Sequence, residues 1–222
     1  MGSHNTLHDG LKTLSLCVIN YYPMKTEYDK CMAGEPFDGS SPEITEMVVR
    51  TKRLLRKLRD TDYADNAAKQ CIYREMFGSI GTDVYIDIDF RCEYGRNIHF
   101  GNKVIVNMNC TFLDDNRINI GNNVMIAPDV KIFTATHSVH LSERMPERTV
   151  PGASICDTIA FPVNIEDGVW IGGNTTILPG ITIGRNSVIG AGSVVVKDIP
   201  ENSIAVGNPC RVIKSVDVES CQ

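Results

Sequence analysis

The chain has 222 residues, 42% of them hydrophobic, and a formal net charge of −5. That length allows one substantial domain with a smaller appendage, and the acidic balance excludes the basic footprint of a general nucleic-acid binder. No apolar run reaches the roughly eighteen residues of a membrane span, and Leu14–Ile19 is too short and lacks a cleavage site for a signal peptide. Eight cysteines without a C-x-x-C pair read as the reduced thiols of a cytoplasmic protein.

Residues 1–24 hold no interpretable pattern and read as an N-terminal extension. Residues 25–80 read as a small helical module. Within it, Ser41 suits an N-cap and Pro42 the first helical position of an amphipathic helix over 42–59. Ile44, Met47, Val48, Leu55 and Leu58 form its apolar stripe. The opposite stripe holds Arg50, Lys52, Arg53, Arg56, Lys57 and Arg59, either a solvated face or a phosphate-binding patch. Thr61 or Asp62 begins a second helix over about 63–77, expected to bury Ala64, Ala67, Cys71 and Ile72. Two such helices would cap the open end of a repeat domain C-terminal to them.

Residues 81–214 carry a period of six. From residue 98 the chain divides into IHFGNK, VIVNMN and CTFLDD, then a two-residue step (Asn116, Arg117), then INIGNN, VMIAPD and VKIFTA. After a loop it resumes at 163 with VNIEDG, VWIGGN, TTILPG, ITIGRN, SVIGAG and SVVVKD. All twelve third positions are apolar and the first positions are aliphatic or small, so both face one side of an extended segment. Helical spacing is absent. Three hexads make one triangular coil, and stacked coils bury an Ile/Val column that no coil buries alone. Gly101, Gly121, Gly172, Gly184 and Gly190 recur at the fourth position, which predicts a turn with positive φ there. Residues 215–222 read as a C-terminal tail.

The long interruption, 134–162, holds His137 and His140. A loop histidine is commonly solvated or structural. Acyl transfer to a hydroxyl, however, needs a base near neutral pH, for which imidazole is the default, and donors for the oxyanion. His140 competes with His137 for the role. His99 sits at an outward hexad position.

Cys-Glu-Tyr-Gly (92–95), Asn-Ile-His (97–99), Val-Asn-Met-Asn (106–109), Leu-Asp-Asp (113–115), Ile-Ala-Pro (126–128) and Thr-Ala-Thr-His (134–137) together resemble the maltose and galactoside O-acetyltransferase family. So do Val-Trp-Ile-Gly-Gly (169–173), Val-Ile-Gly-Ala-Gly-Ser-Val-Val (188–195), Lys-Asp-Ile-Pro (197–200), Val-Gly-Asn-Pro-Cys-Arg-Val-Ile (206–213) and, in the module, Ala-Gly-Glu-Pro-Phe-Asp (33–38). The resemblance implies an all-β solenoid, a left-handed parallel β-helix with a helical N-terminal module and a long protruding loop. It implies a homotrimer with sites between neighbouring β-helices, acetyl-coenzyme A as co-substrate, a sugar acceptor, and no metal, membrane or nucleic-acid partner.

By matching position, His137 is the catalytic base and Asn107 supports the oxyanion. Asp115 and Glu93 line the acceptor pocket, with Asp38 reaching in from the module; Asp115 has the alternative of a turn residue capping amides. Main-chain groups of Gly173 and Ala191 meet the pantetheine arm. Trp170 packs beside that arm or fills a subunit interface. Val196 stands where the family carries a hydroxylated residue, and its contact is main-chain. Lys197, Arg211 and Lys214 lie near the nucleotide phosphates, with a solvated surface role the alternative for Lys214. The segment around 148–160 is longer than the family pattern, which leaves the acceptor open. Two rival readings stand beside a maltose- or glucose-like sugar: a non-sugar acceptor (antibiotic, amino acid or nucleotide sugar), and a non-catalytic β-helix scaffold.

Overall fold

The structure is a computed structural model that describes residues 24–149 and 151–216. Nearly all of the 1–24 extension, and 217–222 of the tail, lie outside the described residues. Three helices come first: α1 (Glu27–Met32), α2 (Pro42–Arg59) and α3 (Asn66–Met76). The α2 bounds match the sequence expectation, and Ser41 Oγ accepts the Ile44 N–H as its cap. α3 does not. Asp62 spends its carboxylate on the Ala64 N–H, holding 62–65 in a turn, and Asp65 caps the helix through Ala68 N–H instead. Its buried face is Lys69, Ile72, Tyr73 and Met76, while Ala64, Ala67 and Cys71 are exposed. The larger side chains win the interior because they close the first coil. Phe77 stacks edge-on against Phe90 and Phe100, and Phe90 against Phe112.

The solenoid has about six turns and three faces of parallel strands. The first face stacks Ser79–Ile80, Ile98–Phe100, Ile118–Ile120, Val163–Ile165 and Thr182–Ile183. The second stacks Val84–Ile86, Val104–Val106, Met125–Ile126, Trp170–Ile171, Val188–Ile189 and Ser203–Val206, and the antiparallel strand Arg211–Ser215 closes its edge. The third stacks Arg91–Cys92, Thr111–Leu113, Lys131–Phe133, Thr176–Ile177 and Val194–Val195. Ile118, Ile126, Ile132, Ile171, Ile177 and Ile183 are fully buried in the column between the faces. Each such side chain contributes about 1.5–3 kcal/mol.

Positive φ does not fall at the fourth hexad position. It falls at the sixth, on Asp89, Lys103, Asn109, Asn123, Asp129, Gly168, Asn174, Gly180, Asn186 and Gly192. Asn and Asp enter that region at low cost through their short polar side chains. The fourth-position glycines serve another need. A Cβ on Gly101 would lie 2.6 Å from the Gly121 carbonyl oxygen, and one on Gly172 would lie 2.6 Å from the Ala191 nitrogen. They let one coil's backbone rest on the next.

Two corners of the triangle keep constant length, with core residues six apart across each (Phe100 to Val106, Val106 to Phe112). The corner from the third face to the first does not. Phe100 pairs with Ile120, twenty residues on; Ile165 with Ile183, eighteen; Ile183 bridges to Ile199, sixteen. The 134–162 excursion, with the short helix α4 (Leu141–Arg144), leaves from this same corner.

Candidate active site

The variable corner collects the acidic residues. Glu93, Tyr94 and Asn97 come from the first coil, Asp114, Asp115 and Asn116 from the second, and His137 from the excursion of the third. Asp114 is fully buried and accepts the N–H groups of Glu93 and Tyr94, each at 2.9 Å, and of Asn97 at 3.3 Å. Burial nevertheless pushes its carboxyl up to about 7. Asp115 is raised to about 6, first by burial and then by the neighbouring Glu93 charge, with His137 opposing. The Tyr94 hydroxyl donates to Asp115 at 3.2 Å. From α2, the Lys52 ammonium donates to Glu93 at 2.9 Å and to the Cys92 carbonyl at 3.0 Å.

His137 follows a two-residue antiparallel hairpin in which Ala135 pairs with Ala160 and Thr136 with Ile159. Its Nδ1 lies 2.8 Å from the Asp157 carbonyl oxygen. A carbonyl only accepts, so in the neutral ring this bond assigns the proton to Nδ1 and leaves Nε2 as the acceptor. Asp157 is itself held by an ion pair to Arg148 and by its N–H to the Arg144 carbonyl at 3.0 Å. His140 precedes α4 and makes no side-chain cap bond. The geometry therefore orients His137, not His140. Asp38 Oδ1 accepts from Ser40 N–H, Ser40 Oγ and Ser154 N–H at 2.8, 2.6 and 3.1 Å. It clasps the long loop onto the helical module.

Asn107 lies at the corner between the second and third faces, one side of the triangle away from His137 in the same chain. One of its amide hydrogens goes to the Ile126 carbonyl at 3.0 Å, leaving the other. That corner continues upward through Pro128, Gly173 and Ala191, its coils joined by Asn174 N–H to Pro128 O and Gly192 N–H to Gly173 O. A Cβ on Gly192 would meet nothing within 4 Å, so the corner is open on its outer side. Trp170 projects from the second face, 52% exposed. Val196 is half-buried, and Lys197, Arg211 and Lys214 are exposed and enter no ion pair among the described residues.

The structure thus joins Glu93, Asp115 and His137 at one corner, while Asp38 bonds to Ser40 of its own module and to Ser154 of the loop. It places Asn107, Gly173 and Ala191 on another. Sequence reasoning misses Tyr94, Asp114, Asn116, Lys52 and the Asp157 carbonyl; the one available signal is the two-residue step at Asn116–Arg117. Among the described residues, no group of three or more His, Cys, Asp or Glu could hold a metal ion, and no helix is long and apolar enough to cross a membrane.

Comparison with known proteins agrees with this geometry. Residues 30–81 match the maltose acetyltransferase hexapeptide capping motif, and 162–197 match the bacterial transferase hexapeptide (six repeats). Galactoside O-acetyltransferase of Escherichia coli (strain K12) is 36% identical over 189 residues, covering 85% of this chain and 89% of that protein. The crystal structure of a maltose O-acetyltransferase from Clostridium difficile 630 superposes with a TM-score of 0.81 at 41% identity, covering 87% of this chain and 99% of that one. A hexapeptide-repeat acetyltransferase from Vibrio cholerae O1 biovar eltor, complexed with acetyl-coenzyme A, gives 0.77 at 36% identity, covering 87% and 100%. Fold and matches together define a left-handed parallel β-helix acyltransferase with hexapeptide repeats. The chain belongs to the maltose and galactoside O-acetyltransferase family, whose members are acetyl-coenzyme A-dependent.

Proposed function

We propose that the protein moves an acetyl group from acetyl-coenzyme A directly to a hydroxyl of a maltose- or glucose-like sugar in a ternary complex. The observation that carries this reading is the 2.8 Å bond from His137 Nδ1 to the Asp157 carbonyl, beside the carboxylate of Asp115. His137 Nε2 takes the hydroxyl proton as the sugar oxygen attacks the thioester carbonyl carbon. Asn107 donates its remaining amide hydrogen to the developing oxyanion. The intermediate then collapses by breaking the carbon–sulfur bond, and the proton on Nε2 passes to the departing thiolate. Glu93 and Asp115 accept hydrogen bonds from the other sugar hydroxyls, a directional job that suits carboxylates better than an apolar acceptor would.

The two half-sites lie on different corners of one chain, so a neighbouring copy must bring them together. The outward ladder of the second face supports this: Tyr85, Ile105, Met125, Trp170, Val188 and Ile204 stand in register. The first face presents Ser79, His99, Asn119, Asn164 and Thr182 instead. An apolar ladder on one face and a polar one on another fit a cytoplasmic homotrimer in which the second face packs on its neighbour. The coenzyme then lies along the open corner. Main-chain groups of Gly173, Ala191 and Val196 meet its arm, Trp170 flanks it, and Lys197, Arg211 and Lys214 meet its phosphates.

The test is acetyl-coenzyme A-dependent thiol release across maltose, glucose, galactosides and non-sugar acceptors, with His137→Ala in parallel. Turnover on a sugar that falls about 10²–10⁴-fold in the variant is expected. Equal turnover in the variant would remove His137 from the mechanism, and turnover only on a non-sugar would overturn the acceptor class.

A further inference from the structure

We infer that Asn116 is a positioning residue that locks the His137 hairpin and the N-terminal module to the acceptor corner. This rests on the reading of His137 as base. Asn116 occupies the two-residue step that interrupts the hexads, in one of the coils whose partners lie twenty residues apart. The extra length turns its side chain inward, where it is 2% exposed.

Both of its amide hydrogens are used, and on different parts of the chain. Nδ2 donates to the Cys31 carbonyl of α1 at 3.0 Å and to the Ala160 carbonyl of the hairpin at 3.0 Å. Oδ1 accepts the Arg117 N–H at 2.7 Å. Its own N–H goes to Thr134 Oγ1 at 2.9 Å, and that hydroxyl donates to the Leu113 carbonyl at 2.7 Å. Through its side-chain amide and its own N–H, this one buried residue therefore ties the end of α1 and the acceptor corner to Ala160 in the second strand of the hairpin and to Thr134, the residue before the first.

The hairpin needs such a tie. Its two strands pair at Ala135–Ala160 and Thr136–Ile159, with one further bond beside them from Phe161 N–H to the Thr134 carbonyl at 2.9 Å, and Ala160 lies three residues after Asp157. Asp157 supplies the carbonyl that fixes the His137 ring. Letting Ala160 shift therefore loosens that carbonyl and with it the imidazole. On the other side, Cys31 Sγ donates to the Asp115 carbonyl at 3.0 Å, and Phe37 N–H donates to the Thr158 carbonyl at 3.0 Å. The helical module thus reaches the backbone of Asp115 and the segment behind the base through the same junction. In this arrangement the module orients the base as well as capping the solenoid.

The decisive variant is Asn116→Asp. It keeps the shape and the acceptor for Arg117, but sets a carboxylate against two carbonyls that had donors. We expect kcat to fall about 10–100-fold, the range a misplacement of about 1 Å produces. The coenzyme A dissociation constant, measured by calorimetry, should stay within about twofold, because Asn116 bonds only to Cys31, Ala160, Arg117 and Thr134 and to none of the groups proposed to hold the coenzyme. Nitrogen-15 NMR should show His137 passing from one Nδ1-protonated form to a tautomer mixture, and Asn116→Gln, which keeps the donors on a longer arm, should recover part of the rate. If Asn116→Asp does not fold, Asn116→Ala removes both donors without adding charge and is read the same way. Wild-type kcat with an unchanged tautomer overturns the inference, as does a loss of rate matched by an equal loss of coenzyme affinity. His137→Ala is run alongside. If it abolishes turnover while Asn116→Asp does not, only the positioning role fails; if it leaves turnover intact, the base assignment itself is wrong.

Discussion

Asp115 ionises at about 6 in the folded chain against its ordinary 3.8, because it is half-buried and faces Glu93. Folding therefore favours its protonated form. That contribution is fully present below pH 3.8 and is lost as pH rises through about 6. Above that pH the folded protein holds an ionised carboxylate at a cost of about 3 kcal/mol, from about 1.4 kcal/mol for each pH unit separating 3.8 from about 6. Asp115→Asn keeps the size and still accepts from the Tyr94 hydroxyl, but cannot ionise. At about pH 8 the variant should thus be more stable than the wild type by up to about 3 kcal/mol, with the gap closing towards about pH 4. Urea denaturation at fixed protein concentration, at both pH values, measures this. The same variant should raise the acceptor KM while leaving coenzyme affinity unchanged. In the wild type, acceptor KM should climb as pH falls below about 6, and that climb should vanish in Asp115→Asn. A variant less stable than the wild type at the higher pH would show that Asp115 is held by contacts favouring its charge, and would refute burial as the dominant influence on it.

Gly101→Ala places a Cβ 2.6 Å from the Gly121 carbonyl oxygen, where only backbone could yield, and should cost about 1–3 kcal/mol as a drop in Tm of several degrees. Gly173→Ala, whose Cβ meets its nearest neighbour at 3.3 Å, should spare Tm and weaken coenzyme binding instead; identical behaviour of the two would discredit the coil-contact explanation. Trp170→Glu puts a charge in the apolar ladder and should convert the proposed trimer to a monomer with loss of turnover, read by light scattering and thiol release. An active trimeric variant would mean the second face is not the interface. Trp170 is the sole tryptophan, so its fluorescence in the wild type reports the same transition.

The solenoid was legible because its core is written locally: two inward positions in every six, repeated without exception. The bounds of α2 were legible through Ser41 and Pro42 for the same reason. α3 was not, since its burial is decided by the open end of the coil that follows it, where the Tyr73 hydroxyl donates to the Ile86 carbonyl at 3.0 Å. The glycine pattern was visible but its cause was misassigned. Sequence shows that a position wants Gly, not whether φ or a neighbouring coil demands it. His137, Asp115 and Glu93 were proposed from family resemblance. The groups that orient them were not, because the Asp157 carbonyl is backbone, and the partners of Asp114 and Asn116 come together only when coils and module stack.

The unequal corner has a consequence for how this protein can change. Hexads resume in register on either side of it whether the connection is lengthened by two residues or by an entire loop. The remaining corners, one of which is the proposed path of the coenzyme, keep their spacing throughout. Insertions at this one vertex therefore leave the hydrogen-bonded ladders and the coenzyme path undisturbed while redrawing the walls around the acceptor. A designer seeking a new acceptor could graft or resize loops there as on an interchangeable cartridge, leaving the acyl-donor machinery as built.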